Sequence, residues 1–233
     1  MRRIAVSLFL VALSFATITP VWAQTERRAW VALYNGRAGG SDEALVVTTT
    51  SGGGLILVAG LEEGAGFSRF VTVMAYRYNG SVAWRASYTP PAPFEAIYVD
   101  EITVSEDDHE VIITAPLIGP DRDPLAVVGF DASSGAREWS WLSPVTVSPS
   151  DLATAPGEIF VVGTAGRRDM DRFVVALESL SGDVVWTHRW DARLGDATAH
   201  SAIVRDGRLF VAGSIATEDT PVLRTVAYAT TDG

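Results

Sequence analysis

One phrase, written three times, restricts the fold of this chain more than anything else in it. An apolar-alternating run ends in a turn that carries a glycine, and a tryptophan follows four residues after that glycine. The phrase runs from Val175 to Trp186 around Gly182, from Val128 to Trp139 around Gly135, and from Met74 to Trp84 around Gly80. These tryptophans lie 55 and 47 positions apart, and Trp30 precedes Trp84 by 54. Such a period, filled only with short strands, is the mark of a radial β repeat.

The strands between the tryptophans fall into place around that spacing. Phe70 to Tyr78 alternates and turns at Asn79-Gly80 into Val82 to Tyr88, and Asn-Gly between β runs is a strong hairpin signal. Further strands are expected at 43–50, 55–60, 96–105, 110–115, 125–131, 138–142, 158–163, 173–178, 184–190, 199–204, 209–213 and 222–229, with a weak one at 152–155. No amphipathic helix is expected after residue 23. The expected fold is all-β: a β-propeller of four blades, each of four antiparallel strands. Trp30 sits on a strand at 29–34 with no turn before it, and the last unit stops after three strands at Gly233. The N-terminal strand is therefore expected to pair with 222–229 and close the last blade, protecting its edge. The competing expectation is a fragment of a larger propeller.

The first 23 residues stand outside this pattern. Arg2 and Arg3 precede an apolar run from Ile4 to Ile18, and Val21-Trp22-Ala23 has the small-residue form of a cleavage site. Residues 1–23 read as a secretory signal peptide and 24–233 as the propeller domain, exported to the periplasm or the extracellular space. No membrane span is expected in the mature chain. The chain has no cysteine, so an exported form must be held by packing alone. Its formal charge is −10, and loss of Arg2 and Arg3 leaves −12. That balance repels phosphate backbones and argues against a nucleic-acid partner.

The residues Ala176-x-Glu178-x-x-Ser181-Gly182-x-x-x-Trp186 and Gly129-x-Asp131-x-x-Ser134-Gly135-x-x-x-Trp139 resemble the tryptophan-docking repeat of quinoprotein-like propellers. In that family the pattern is Ala-x-Asp-x-x-Thr-Gly-x-x-x-Trp. Trp30 to Gly36, followed by Ser41 to Ala44, is similar to the related repeats of exported bacterial β-propellers. Tyr76 and Ala229 depart from the acidic third position. The resemblance implies that Trp30, Trp84, Trp139 and Trp186 are structural and pack between blades. It also raises a quinone-dependent oxidoreductase, but such enzymes resemble this chain only in their repeats. They carry eight blades, a calcium ion and commonly a vicinal cysteine pair.

Catalytic signals are thin. His109, His188 and His200 are the only histidines and none has metal-ligand spacing to another. The acidic run Glu106 to Glu110 reads as a solvated turn. Neither a G-x-S-x-G nucleophile motif nor a phosphate loop occurs. Asp42, Glu95, Asp151 and Asp196 open the first strand of successive units. They are expected either to cap turns or to meet around the channel as a weak cation site. No other cofactor is expected.

Loop length points to function. Connections after strands one and three are tight, whereas those at 35–41, 61–69, 89–94, 116–124, 143–150, 164–172, 191–196 and 214–221 are expected to be long and to share one face. That face carries Arg69, Arg122, Arg167, Arg168 and Arg172. Binding residues concentrate on long loops held by a rigid scaffold. The chain therefore reads as a non-catalytic interaction module for a protein, peptide or glycan, as a monomer or as a homodimer completing a larger ring. The enzyme alternative is a quinone-dependent oxidoreductase or a small-molecule hydrolase with its site in the channel.

Overall fold

Glycines at three corresponding places explain how each unit begins. Gly60, Gly163 and Gly213 lie so close to the backbone oxygens of Glu43, Ser148 and Thr198 that a Cβ would overlap them. At each place the first strand of a unit carries a β-bulge opposite the second. In the second unit Ala115 stands where the others have glycine. There the first strand breaks into two pieces, bridged by Ile97 N–H to the Pro116 carbonyl and Asp100 N–H to the Thr114 carbonyl, both 3.0 Å.

The computed structural model describes residues 29–36, 39–64, 68–166, 171–190, 197–216 and 220–233, and its regular structure there is entirely antiparallel β. The first meander is β1 (Asp42–Thr49), β2 (Leu55–Glu63), β3 (Arg69–Arg77) and β4 (Val82–Tyr88). The second is β5 (Glu95–Ala96) with β6 (Glu101–Val104), then β7 (Glu110–Ile118), β8 (Pro124–Asp131) and the first half of β9 (Arg137–Ala155). The second half of β9 opens the third, followed by β10 (Glu158–Ala165), β11 (Asp171–Glu178) and β12 (Val184–Trp190). β13 (Ala197–Arg205), β14 (Arg208–Ile215) and β15 (Val222–Ala229) form the fourth.

Two expectations need correction. Residues 143–150 are not a loop: β9 runs unbroken for 19 residues, pairing with β8 up to Thr146 and with β10 from Val147. The Ser143 hydroxyl holds this passage by donating to the Val145 carbonyl at 2.5 Å while accepting the Leu125 N–H at 2.9 Å. The fourth sheet has three strands, and residues 29–36 form none, so the strand expected to close it on β15 is absent. Those residues are engaged differently. The Tyr34 hydroxyl donates to Glu62 at 2.6 Å, and the Gly36 N–H donates to Asp42 at 2.5 Å.

The core lies in the seams between meanders. Leu57, Val71 and Val73 of the first meet Val111, Ile113 and Phe130 of the second. Ile112, Leu125 and Val127 meet Ile159, Val161 and Leu177 across the next seam. Phe160, Val162 and Val174 meet Leu209, Val211 and Tyr228 across the last. Each fully buried side chain of this size stabilises by about 1.5–3 kcal/mol, so the seams carry the fold. Alternation makes this work, because successive residues of a strand point to opposite neighbours.

Candidate functional site

Three tryptophans clasp the seams. Trp84 of β4 donates its indole N–H to the Ala132 carbonyl at 2.8 Å, and Trp186 of β12 donates to the Thr230 carbonyl at 2.8 Å. Each ring lies on the glycine of the next meander's turn. A Cβ on Gly135 would overlap the Trp84 ring, and one on Gly233 would come within 3.2 Å of Trp186. Both glycines also have positive φ, 74° and 83°. The acidic residue four positions before the glycine shapes the turn. Asp131 accepts from the Ser134 N–H at 2.8 Å and the Ser133 hydroxyl at 2.7 Å. Bonds from Ser134, then Ser133, hold its carboxyl below the usual range.

The middle seam uses a different acceptor. Trp139 lies on Gly182 as the other rings lie on their glycines, but its indole N–H donates to the carboxylate of Glu110. Glu110 is wholly buried and also accepts the Ser179 hydroxyl at 2.7 Å and the Leu180 N–H at 3.3 Å. Burial pushes its carboxyl up, against the bonds from Ser179, Trp139 and Leu180. The sequence reading placed Glu110 in a solvated acidic turn. Instead it is the hub of a seam, and nothing in its neighbours Asp107 and Asp108 signals that. Trp30 lies in the segment without strand structure.

Of the four acidic candidates, Asp42 and Asp151 stand at different register positions. Asp42 pairs in register with Glu62 near the start of β1, whereas Asp151 pairs with Val162 beyond the bulge of β9. Glu95 is exposed at the end of β5, and Asp196 lies outside the described residues. Asp42 caps the Gly36 amide. Asp151 joins meanders, accepting the Ala202 N–H at 2.7 Å and the Ser201 hydroxyl at 2.9 Å from β13. Glu101 of β6 stands at the register position matching Asp151, opposite Thr114 as Asp151 is opposite Val162. Burial, with the charges of Asp151 and Asp100, pushes Glu101 up to about 7, against a bond from the Leu152 amide.

Among the described residues no three His, Asp or Glu side chains converge as a metal centre. The chain also has no cysteine for a vicinal pair. The described residues thus supply no set that fits the quinone–calcium site that the repeat resemblance raised.

The arginine set divides. Arg69 is exposed at the start of β3. Arg122 donates to the Pro144 carbonyl at 2.6 Å and lies 5.6 Å from the centre of the Phe94 ring, so it fastens two connections. Arg167 and Arg168 lie outside the described residues. Arg172 is in β11, not a loop, and is 1 % exposed beside Gly213 of the fourth meander. It is a seam residue and cannot meet a partner at the surface. A cluster that the sequence reading missed centres on buried Glu62, which accepts from Tyr34, from Thr72 at 2.9 Å and from Arg85 at 2.5 Å. Arg85 stacks 4.5 Å from the Tyr34 ring centre. Although burial works against it, these partners hold the Glu62 carboxyl below its ordinary range. Burial and the bond to Glu62 push the Tyr34 hydroxyl up to about 12.

Comparison with known proteins agrees with this repeat. No curated protein matches the chain. Similar solved structures include BamB from Moraxella catarrhalis, at 16 % identity and a TM-score of 0.46, over 80 % of this chain and 49 % of that one. The quinohemoprotein alcohol dehydrogenase of Comamonas testosteroni is similar at 13 % identity and a TM-score of 0.47, over 69 % and 28 %. A cobalt-substituted apocarotenoid oxygenase of Synechocystis is similar at 10 % and 0.46, over 80 % and 50 %. The chain spans half the length of these proteins or less. The model of the family described as outer membrane protein assembly factor BamB matches residues 10–230, and the chain belongs to that family.

Proposed function

We propose that the four meanders are consecutive blades of an exported, non-catalytic β-propeller scaffold that binds a protein, peptide or glycan partner. Residues 1–23 direct export and 24–233 form the working domain. The observation that carries this reading is where the buried polar chemistry goes. Glu62, Glu110, Asp151 and the indoles of Trp84, Trp139 and Trp186 are all engaged in fastening neighbouring strands and meanders. They are spent on structure, which leaves the connections for recognition.

The connections after strands two and four are shorter than the sequence suggests, and only slightly longer on average than the opposite turns. They cover five or six residues each, at 64–68, 89–94, 119–123, 166–170, 191–196 and 216–221, and the opposite turns run from two residues at 156–157 and 206–207 to five at 50–54, 105–109, 132–136 and 179–183. Arg69, Arg167 and Arg168 are the contact candidates on this side. A partner in outer-membrane protein assembly suits the family description. The test is affinity capture from envelope extract with the wild type and with Arg167→Glu/Arg168→Glu. Loss of one recovered partner by about tenfold, with an unchanged melting curve, is expected. Equal recovery refutes the contact face. Mass spectrometry of the exported chain should find Gln24 at its N-terminus, and an intact Met1 would refute cleavage.

A further inference from the structure

A cavity of about 80 Å³ opens in the seam between the first and second meanders, on the side of the connections. Register pairing sets Glu43 opposite Leu61 and Glu63 opposite Arg69, on the face that carries Leu57 and Ala59 into the seam. The far wall is Ile97 and Tyr98, which lie in the break between β5 and β6 and are 38 and 39 % exposed. The bonds from Ile97 to Pro116 and from Asp100 to Thr114 fix that break at both ends.

The same level of the middle seam is closed. Arg69 and Asp123 hold equal places in their meanders, since Ala75 and Gly129 correspond across the register. There β9 passes directly from one meander to the next. The Val147 N–H donates to the Asp123 carbonyl at 3.4 Å, and the Asp123 N–H donates to the Thr146 hydroxyl at 3.1 Å. In the first seam the chain leaves β4 at Tyr88 and re-enters at Glu95, and Pro90, Pro91 and Pro93 have no amide proton to bridge the gap. The opening therefore belongs to the interior of the repeat.

Its walls suit one kind of guest. Glu63 stands opposite Arg69, whose charge offsets its own, and it accepts the Ser41 N–H at 3.1 Å. Glu43 is exposed and takes part in no hydrogen bond or ion pair among the described residues. One carboxylate is thus uncompensated, beside an aromatic ring and apolar Leu61 and Ile97, on a chain of net charge −10. Carboxylate and ring face both draw a cation. The volume is well short of the roughly 300–1,000 Å³ of small-molecule sites, so the cavity takes the end of a side chain.

We propose that this cavity binds a lysine or arginine side chain of a protein partner, with the charged head at Glu43 and the stem against Tyr98 and Ile97. Long basic side chains carry an apolar stem below the charge, which matches both parts of the wall. The proposal rests on the reading of the connections as the contact side. It narrows the partner to a protein or peptide with an exposed basic residue.

The test is titration of the exported chain with the end-blocked tripeptide Gly-Lys-Gly, followed by amide NMR, with Gly-Glu-Gly as the control. Saturable shifts at the amides of Glu43, Glu63 and Tyr98 are expected for Gly-Lys-Gly alone, with a Kd on the order of millimolar. Glu43→Gln should weaken this binding about fivefold and leave the melting curve unchanged, because the side chain is exposed. The absence of a saturable shift, an equal response to Gly-Glu-Gly, or binding indifferent to Glu43→Gln would each overturn the proposal. A tripeptide readout is separate from partner capture. If Gly-Lys-Gly binds while Arg167→Glu/Arg168→Glu recovers every partner equally, the wider contact face fails and the cavity stands; the converse pair of results refutes the cavity alone.

Discussion

The middle seam and the two flanking seams are built to one spacing and finished differently. In all three, a tryptophan four residues beyond a glycine lies on the glycine of the next meander. In the flanking seams the indole donates to a neutral backbone carbonyl. In the middle seam it donates to buried Glu110, which gathers two further donors. The difference teaches that ring on glycine sets the geometry, while the acceptor is a separate choice. A carboxylate acceptor roughly doubles the bond strength. It also brings a desolvation cost, and so a dependence on pH, that a carbonyl does not have.

The comparison can be broken most severely by removing a ring. Trp139→Ala should lower the unfolding free energy by about 3–5 kcal/mol in chemical denaturation. Glu110→Ala keeps the ring and strands its donors, for an expected loss of about 2–4 kcal/mol. Phe in place of Trp deletes the N–H and the smaller ring that carries it, and the loss of ring area is common to both sites. Trp139→Phe should cost about 2 kcal/mol and Trp84→Phe about 1, because only the first loses a bond to a charged group.

The smallest effect is in pH. Glu101 is pushed up from 4.5 to about 7, so its folded form holds a proton that its unfolded form releases. Its contribution is complete below pH 4.5 and fades as pH rises to 7, and Glu110 shifts in the same direction. Glu101→Gln should flatten the fall in melting temperature across that window. The difference should be about 1 kcal/mol, since water still reaches the carboxyl. A profile unchanged by Glu101→Gln would remove Glu101 as its source.

The seams were legible because their signal is local. Gly135 with Trp139, and Gly182 with Trp186, each sit within one hairpin, and the hairpin spacing carries over into the neighbour contact. The polar partners were not legible, because each is a long-range pair. Glu110 meets Ser179 across 69 residues, and Asp151 meets Ser201 across 50. Asp42 and Asp151 both open first strands, but Asp42 lies opposite Glu62, two residues past Gly60, and Asp151 opposite Val162, one residue before Gly163, so a shared place in the sequence order did not give a shared place in the sheet. Arg172 was misread for a similar reason: β11 begins at Asp171, so an apparent loop charge falls on a buried strand position. The recurrence of glycine at 60, 163 and 213 was visible in the sequence and would have placed the bulges.

The most direct measurement of the tryptophan-on-glycine claim compares two glycine substitutions by equilibrium unfolding. Gly157 and Gly182 both have positive φ, 76° and 70°, so alanine strains either backbone. Around Gly157 a Cβ would meet nothing within 4 Å, whereas at Gly182 it would overlap the Trp139 ring. Gly157→Ala should cost about 1 kcal/mol and Gly182→Ala about 3 or more. Equal losses would contradict the account, since the ring would then contribute nothing that the turn does not already require.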